Sequence, residues 1–428
     1  MKKILTILVL VLGVWVTALA VPAHPGKYRY TQPDGSIVVL QNHGDEYFHW
    51  TTDAAGRVVE MDADGYYRPV DPSVHQARVR RASQAAIGRR ASWSSYETAP
   101  ATNFGDRKIL CILAEFSDIA YTVDDPNAKF TAMLNQTGYS DGGAIGSVRD
   151  YYIDNSGGQY RPEFDVYGPV TLSGTSEYYD NNGVRLAITE AYGLLAAQIP
   201  INDYDTDGDG DIDMVLFYYP GHNEAEGAPS NTIWPHQNSG NFGTLGPPDD
   251  DEKKKIFNRY FCTSELRGSS GTDLCAIGTT CHEFAHSLGL PDFYDTDYAT
   301  SGENSFTTGK FDLMAAGNYN DMGRRPPYLS AVERNMLGWM ENIPALTDGD
   351  HVLTPVRNNV AFRSDAATTG EYFILEVRDN DKWDSSLMDW GLLVYHVDKS
   401  SRIVSGSYSA AHLWESTNKI VSLARTII

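Results

Sequence analysis

The sequence predicts an α+β protein in which β-rich ends flank a central region of mixed strands and helices. Short alternating runs separated by Asp and Gly turns occupy residues 27–70, and strand-like runs return after residue 345. Between them, buried strand patterns alternate with helical periodicity. The chain has 428 residues, enough for two or three domains at about 150 residues each. Its content of 42% hydrophobic and 21% charged residues is that of an ordinary globular protein.

The first twenty residues have the pattern of a secretory signal peptide. Met1-Lys2-Lys3 is a basic start, residues 4–20 are almost wholly apolar, and Ala18-Leu19-Ala20 places small residues before a possible cut. A membrane anchor is the alternative, because the apolar run is near the lower length limit for a span. The small-residue site and the polar residues from His24 onward favour cleavage. Residues 1–20 therefore predict a secreted, extracellular protein with no stable membrane span after the signal is removed.

Residues 21–72 are predicted to form a β-rich unit of their own. Runs such as Ile37–Leu40 and Val58–Met61 are separated by Asp and Gly turns, which is typical of an antiparallel sheet. Residues 73–103 then lack periodicity. They carry five arginines: Arg78, Arg80, Arg81, Arg89 and Arg90. This segment is interpreted either as a solvated linker or as a linker that is meant to be cut, because exposed loops are accessible to proteases.

Residues 104–345 are predicted to form the largest unit. Lys108–Phe116 and Asp213–Tyr219 have the apolar runs of buried strands, and Gly271–Leu288 has the pattern of a helix that ends at Gly289. Residues 346–428 are predicted to be a β-rich C-terminal region. The other predicted elements are helices over 186–199 and 329–339 and strands over 372–377 and 391–397.

The charge balance excludes nucleic acid as the main partner. The 34 Lys and Arg residues face 56 Asp and Glu residues, for a formal net charge of -22. Phosphate recognition needs a basic face. A strongly acidic chain is more typical of a soluble protein or of one that holds hard cations.

The centre of the functional interpretation is the run His282-Glu283-Phe284-Ala285-His286. Two His residues at i and i+4 lie on one face of a helix, about 6 Å apart along its axis. Both imidazoles can therefore reach one zinc ion. Glu283, next to the first ligand, can act on water at the metal as a general base without being a ligand. The alternative is a surface helix that carries two solvated His residues.

The third metal ligand is predicted to be Asp292. Gly289 tolerates a positive φ and lets the chain turn sharply after the helix, which can bring Asp292 back to the metal. Two neutral imidazoles and one carboxylate leave an open coordination position, as catalytic zinc sites do. Three nearby residues compete for this role: Tyr294, Asp295 and Asp297.

These residues resemble a known family. HExxHxxGxxD is the metzincin pattern with Asp in third place, and the run HEFAHSLGLPDFYDTD is similar to the immune inhibitor A-like secreted metallopeptidases. Further similar segments are residues 147–170, 231–237, 311–320 and 391–398. The resemblance implies a metzincin-like zincin catalytic domain, a β-rich propeptide and protein or peptide substrates.

The resemblance also implies a Met-turn, a tight turn whose methionine packs beneath the zinc ligands. Met314 fits this role best, with Met322 as the weaker alternative. Tyr319 lies five residues after Met314. By analogy with a tyrosine beyond the Met-turn in some metzincins, its hydroxyl is a candidate donor to the oxyanion of the tetrahedral intermediate.

A second group of acidic residues lies between 205 and 213. Counting from Asp205, carboxylates fall at the first five odd positions of a calcium loop: Asp205, Asp207, Asp209, Asp211 and Asp213. Gly210 occupies the turn position, but the twelfth position is Leu216 instead of the usual Glu. The sequence predicts a structural Ca²⁺ site that is completed from elsewhere, and an Asp/Gly-rich turn is the alternative.

The β-rich N-terminal unit is expected to keep the enzyme latent. It contains no cysteine, so a thiol cannot serve as its latch. His43, Asp45, Glu46 and His49 form the obvious cluster that could face the metal, and Asp45 is the hypothesis. The four cysteines of the chain allow three disulfide pairings or free thiols.

The sequence therefore predicts a secreted zinc endopeptidase that is made as a precursor. Its cofactors are predicted to be Zn²⁺ and Ca²⁺, with Glu283 as general base and His282, His286 and Asp292 as zinc ligands. One rival is a noncatalytic, calcium-stabilised exported binding protein with a vestigial zinc site. Another is a zinc amidase that acts on cell-wall peptide.

Overall fold

A computed structural model describes residues 17–88, 99–247, 249–294, 296, 298 and 308–398. Most of the predicted signal peptide, Arg89, Arg90, Asp295, Asp297 and the chain beyond residue 398 lie outside the described residues. Within these ranges, no helix has both the length and the apolar character to cross a bilayer.

The N-terminal part forms the antiparallel unit that the sequence predicts. Its elements are β1 (Thr17–Ala20), β2 (Tyr28–Thr31), β3 (Ile37–Gly44), β4 (His49–Asp53), β5 (Val58–Met61), β6 (Tyr67–Pro69) and helix α1 (Pro72–Gly88). Strands β2 to β6 pair in sequence order as a five-stranded sheet. Strand β1, which contains the end of the predicted signal, pairs instead with a strand of the central unit.

Helix α1 corrects the prediction of an aperiodic linker from residue 73. Val79 and Ala86 are buried and form a small cluster with Tyr298, and Ala82 packs against them. This stripe follows helical spacing, but small residues carry most of it, so the sequence pattern is weak. Alanine and arginine also favour helix in their own right.

The central unit contains the five predicted strands and helices among a larger set of elements. These elements are β7 (Gly105–Glu115), α2 (Pro126–Asn135), α3 (Val148–Asn155), β8 (Tyr160–Thr171), α4 (Ser176–Asn182), α5 (Val184–Leu195), β9 (Val215–Tyr219), β10 (His236–Ser239), β11 (Thr244–Leu245), β12 (Lys255–Ile256), β13 (Arg259–Ser264), α6 (Ile277–Ser287) and α7 (Ala331–Met336). The main sheet has the order β1-β10-β13-β9-β7-β8. The neighbours from β13 through β9 and β7 to β8 pair in parallel. Strand β10 is antiparallel to both β13 and β1.

The main sheet is covered on both faces. Alternate residues of β7 point to opposite sides, with Cys111 in the core shared with α2, α3 and α6, and Ile112 in the core shared with α5. A strand that is buried on both faces reads as a continuous apolar run, which is why β7 and β9 are predictable from sequence. The resulting layers hold α6 against the sheet.

The C-terminal part forms a third sheet. Its strands are β14 (Ala361–Asp365), β15 (Glu371–Arg378) and β16 (Gly391–Asp398), and all pairs are antiparallel. Its apolar face joins the same core as α6. Buried Arg378 pairs with Glu376 at 2.6 Å and with Asp384 at 3.1 Å. These carboxylates also accept the backbone N–H groups of Ala331 and Tyr328, which ties this sheet to α7.

The four cysteine thiols are free and buried. Helix α6 begins at Ile277 and not at Gly271 as predicted, so Cys275 lies before the helix that contains Cys281.

Gly278 allows α6 to approach the loop after Met314. A Cβ atom at 278 would lie 1.9 Å from the Asn318 carbonyl oxygen, whereas one at Gly193 in α5 would meet nothing within 4 Å. We expect Gly278→Ala to lower the free energy of unfolding by about 1–3 kcal/mol through overpacking. Gly193→Ala is the matched control and should raise it by about 0.5–1 kcal/mol, since alanine favours helix. Urea unfolding measures both, and equal effects would contradict the close approach.

Candidate active site

Helix α6 carries the first two candidate ligands into the interior. Every residue of α6 is buried, including His282 and His286. The two side chains lie one turn apart, and their Nε2 atoms are 3.0 Å from each other. The prediction that both imidazoles face one point therefore agrees with the geometry.

The turn after α6 brings Asp292 to the same point. Gly289 has a φ of 108°, in the region that favours glycine. Asp292 Oδ1 lies 3.3 Å from His282 Nε2 and 3.2 Å from His286 Nε2. Of the competing residues, Tyr294 directs its hydroxyl elsewhere, as described below. His282, His286 and Asp292 thus converge as a group that could hold a metal ion.

Backbone carbonyls fix the orientation of both imidazoles. His282 Nδ1 lies 2.8 Å from the Leu313 carbonyl oxygen, and His286 Nδ1 lies 2.8 Å from the Leu290 carbonyl oxygen. Each Nδ1 must therefore carry the proton, which leaves the Nε2 lone pair free for a metal. Buried Asp292 Oδ1 has no hydrogen-bond partner. The donor set fits a zinc ion, which takes nitrogen and carboxylate oxygen ligands.

The turn that contains Leu313 also contains Met314. Met314 is buried, and its carbonyl oxygen accepts the Phe293 N–H at 2.7 Å. The turn therefore contacts His282 through the Leu313 carbonyl group. It also contacts Phe293, the residue after Asp292, through the Met314 carbonyl group. Met322 is about half exposed, so it is not packed in this core.

The charges of the group suit a cation. Burial lowers the pKa of His282 although Asp292 lies beside it. Burial opposes ionisation of Asp292, but the two imidazoles outweigh it and hold the pKa below its usual value. Burial, reinforced by Asp292, raises the pKa of Glu283. A neutral His282 imidazole next to the ionised Asp292 carboxylate matches the protonation states that metal binding requires.

The N-terminal segment from Ala20 to Ala23 occupies the cleft in front of this group. The Val21 N–H donates to Glu283 Oε1 at 2.7 Å, and Ala20 and Val21 are fully buried. The segment packs with Trp234 and Tyr319 as a small apolar cluster. Glu283, predicted to act on water at the metal without being a ligand, therefore contacts the backbone of an extended peptide.

Three aromatic side chains hold successive carbonyl groups of this segment. The Tyr294 hydroxyl donates to the Ala20 oxygen at 2.6 Å. Trp234 Nε1 donates to the Val21 oxygen at 3.0 Å, and the Tyr319 hydroxyl donates to the Pro22 oxygen at 2.7 Å. Tyr319 thus lies in the cleft, but on a carbonyl two residues beyond the one that Tyr294 binds.

Sequence reasoning did not identify Tyr294 or Trp234 as groups that bind a peptide. The sequence offers Tyr294 only as a competing ligand, and Trp234 only as part of the similar segment 231–237. The available signal for Tyr294 is its position just after the zinc motif, and that for Trp234 is its position just before β10. Nothing local marked Val21, which is 262 residues away from Glu283.

The rim of the cleft is acidic and faces imidazoles of the N-terminal unit. Glu224 Oε1 lies 2.9 Å from His49 Nε2, whose ring stacks on Trp234. Burial lowers the pKa of His49, but Glu224 and Asp45 outweigh it, so the pKa is raised overall. The Ala225 carbonyl oxygen accepts the His24 N–H at 2.8 Å. The stretch from 222 to 226 thus contacts the N-terminal unit.

Asp45, the hypothetical latch, is engaged by groups other than the metal ligands. Its Oδ1 accepts the N–H groups of Tyr47 and Phe48 at 2.9 and 3.1 Å, and it also accepts the Tyr298 hydroxyl. Burial, with a smaller contribution from Asp292, raises its pKa to about 6.

The acidic loop brings three of its five predicted carboxylates together. Asp205, Asp207 and Asp209 have carboxylate oxygens within 4.8 Å of one another. Asp205 Oδ1 is buried without a hydrogen-bond partner, while its Oδ2 pairs with Lys255 at 2.6 Å. Asp211 and Asp213 bind Asn258 and Thr206 instead.

Comparison with known proteins identifies the family of the central unit. A profile described as the catalytic domain of immune inhibitor A peptidase M6 matches residues 101–340. The pre-pro-metalloprotease PrtV of Vibrio cholerae serotype O1 is 27% identical over 255 residues, which cover 50% of this chain and 27% of that protein. Immune inhibitor A of Bacillus thuringiensis subsp. alesti is 27% identical over 241 residues, which cover 46% of this chain and 34% of that protein.

The chain thus spans about a quarter to a third of the length of these relatives. The matched range contains α6, the turn at Gly289, Asp292 and the turn at Met314, and its bounds are close to the predicted 104–345. The chain therefore belongs to the immune inhibitor A family of M6 metallopeptidases.

Proposed function

We propose that the chain is the latent precursor of a secreted zinc endopeptidase that hydrolyses peptide bonds in proteins. The observation that carries this proposal is the 2.7 Å contact between Glu283 Oε1 and a backbone nitrogen of the cleft segment. It lies beside the group formed by His282, His286 and Asp292. A carboxylate that touches a peptide nitrogen is where an acid–base group must be to protonate a departing amine. The HExxHxxGxxD spacing supports a metzincin-type zinc site.

The proposed mechanism divides the chemistry between the metal and Glu283. Zinc, when bound, would supply Lewis-acid activation of water and of the substrate carbonyl. Glu283 takes the proton of the attacking water and passes it to the nitrogen of the departing amine. His282, His286 and Asp292 hold the metal and take no part in proton transfer.

The N-terminal unit supplies latency in this proposal. Its segment from Val21 to Ala23, which remains after signal cleavage, lies in the cleft, so a protein substrate cannot enter while the segment is there. The Ala23 N–H donates to the Gly44 carbonyl oxygen at 2.8 Å, which anchors the segment to β3. Removal of the signal peptide after Ala20 would make Val21 the first residue and leave its amino group beside Glu283. Asp45 then serves the turn that docks the unit, not the metal.

Release requires that the N-terminal unit is cut away. Arg78 pairs with Glu60 and is part of α1, as are Arg80 and Arg81. Backbone in a helix is a poor substrate because a protease needs a segment that it can extend. We therefore assign the cut to the chain around Arg89 and Arg90.

A structural Ca²⁺ site at the acidic loop is a further part of the proposal. The buried, unpartnered Asp205 Oδ1 supports it, since a buried carboxylate oxygen without a partner is costly. Asp207 and Asp209 complete the group, and Lys255 offsets part of the charge. The ion would stiffen the turn that leads into β9.

The noncatalytic binding protein remains the alternative from another class. Buried Glu283 argues against it, because a binding site has no need of an unpaired carboxylate oxygen in its interior. Glu283 Oε2 has no hydrogen-bond partner, which carries a cost that catalysis would explain.

The first test is casein hydrolysis by the processed chain and by its Glu283→Gln variant. We expect the variant to lose activity by about 10²–10⁴-fold, because the proton transfer is lost. Zinc content should be equal in both, since Glu283 is not a ligand. Inactivity of the zinc-loaded wild-type chain towards casein would favour the binding protein, and hydrolysis of a cell-wall peptide alone would favour the amidase.

The second test concerns the pH dependence of latency. The pKa of His49 is raised when the unit is docked, so its contact with Glu224 stabilises docking below the usual histidine value of about 6.5. That contribution is lost as pH rises through the raised pKa. Burial, reinforced by Glu224, raises the pKa of Asp180 to about 6. Above that pH, Asp180 adds negative charge near the pair formed by His49 and Glu224.

We therefore expect limited trypsin treatment to release activity from the precursor faster at pH 8 than at pH 6. His49→Ala should reduce this difference. His351→Ala is the control, because His351 is exposed and contacts Thr347 in the C-terminal part. A His49→Ala precursor with the wild-type pH dependence would exclude this contact as the cause.

The third test addresses the acidic loop. Adding Ca²⁺ should raise the melting temperature of the wild-type chain, because a ligand at 100 times its dissociation constant stabilises by about 2.7 kcal/mol. Asp207→Asn should abolish this rise. Asp251→Asn, which removes an exposed partner of Lys254, is the control and should retain it. A calcium-independent melting temperature in the wild-type chain would leave the loop as an ordinary acidic turn.

A further inference from the structure

The peptide bond between Ala20 and Val21 is bound at both of its polar ends. Its carbonyl oxygen accepts the Tyr294 hydroxyl at 2.6 Å, and its N–H donates to Glu283 Oε1 at 2.7 Å. The next two carbonyl groups bind Trp234 and Tyr319. The Ala23 N–H turns back to Gly44 of the N-terminal unit. The Ala20–Val21 bond is thus the one that the structure places between Glu283 and a hydroxyl donor.

The chain enters this position as an extended strand. Strand β1 is antiparallel to β10, with Ala20 opposite His236 as the last paired residue. The peptide then passes the metal-ligand group and continues along Trp234 and Tyr319. The cleft therefore holds a peptide in one defined direction and register.

Tyr294 is held firmly on the metal side of the cleft. It follows Asp292 by two residues, and the Phe293 N–H between them donates to the Met314 carbonyl oxygen at 2.7 Å. The ring of Tyr294 is buried in the core that contains α6. The hydroxyl is therefore positioned by the same backbone that positions the third ligand.

We propose that Tyr294 is a catalytic residue whose hydroxyl stabilises the oxyanion formed from the scissile carbonyl. This inference rests on the proposed function. Water adds to the carbonyl carbon, and the π electrons of the C=O bond move to the oxygen, where the hydrogen bond from Tyr294 becomes stronger. The C–N bond then breaks, its electrons stay on nitrogen, and Glu283 returns the proton taken from water. One acid and one amine result.

This assignment gives the two tyrosines of the cleft different roles. Tyr319, a candidate oxyanion donor only by analogy with some metzincins, binds a carbonyl two residues farther along the peptide. It is a group that binds substrate and positions it. The two roles predict different kinetic effects, so Tyr319 provides the matched control.

The test compares Tyr294→Phe and Tyr319→Phe in the processed enzyme with a chromogenic peptide substrate. We expect Tyr294→Phe to lower kcat by about 10²–10³-fold with little change in KM, because the lost interaction is made in the transition state. Tyr319→Phe should mainly raise KM. Zinc content and melting temperature establish that both variants are folded and loaded.

A second measurement uses a phosphinic peptide inhibitor, whose tetrahedral phosphorus imitates the intermediate. Its inhibition constant should rise with Tyr294→Phe by a factor similar to the loss of kcat/KM. A variant with wild-type kcat and wild-type inhibition would overturn the proposal. If Tyr294→Phe fails to bind zinc, Tyr294→Leu is tested in the same way.

The wild-type enzyme and Glu283→Gln are assayed in parallel. Inactive wild-type enzyme contradicts the proposed function itself. Active wild-type enzyme together with an unimpaired Tyr294→Phe variant contradicts only the role of Tyr294.

Discussion

The candidate site depends on two hydrogen bonds between imidazoles and backbone carbonyls. Because Leu313 and Leu290 fix the Nδ1 atoms of His282 and His286, both Nε2 atoms point to one place. Leu290 belongs to the turn that delivers Asp292, and Leu313 belongs to the turn that carries Met314. The carbonyls that orient the rings thus lie in the two loops that enclose the site. Helix α6, buried over its whole length, supports both loops.

The parts of the site that the sequence predicts are those whose geometry is local. His282 and His286 share a helix face through their spacing, and Gly289 and Asp292 follow within six residues of His286. Strands β7 and β9 are predictable because burial on both faces leaves an apolar run. Helix α1 was missed because its stripe consists largely of alanine. The contact of Val21 with Glu283 joins residues 262 positions apart, and no local pattern records such a distance.

Tyr294 and Tyr319 show the limit of reasoning from motifs. Both lie near zinc-site segments in the sequence, and a motif gives their order along the chain but not the direction of their hydroxyls. The direction follows from the Phe293 contact with Met314 and from the path of the cleft segment. In the proposed precursor, Trp234 and Tyr319, which would also hold a substrate, hold the inhibitory segment. Latency and peptide binding then draw on one set of contacts.

The pairing of β1 with β10 also bears on the form in which a protein could be cut. Once β1 has been removed with the signal peptide, β10 becomes the margin of the main sheet, with backbone N–H and C=O groups that lack a neighbouring strand. An incoming chain can satisfy them only if it arrives extended, with its own backbone groups unpaired. Folded helices and interior strands do not meet that condition, whereas loops, tails and unfolded proteins do. In the proposed endopeptidase, the architecture of the sheet would thus select substrates by their conformation before any side chain is recognised.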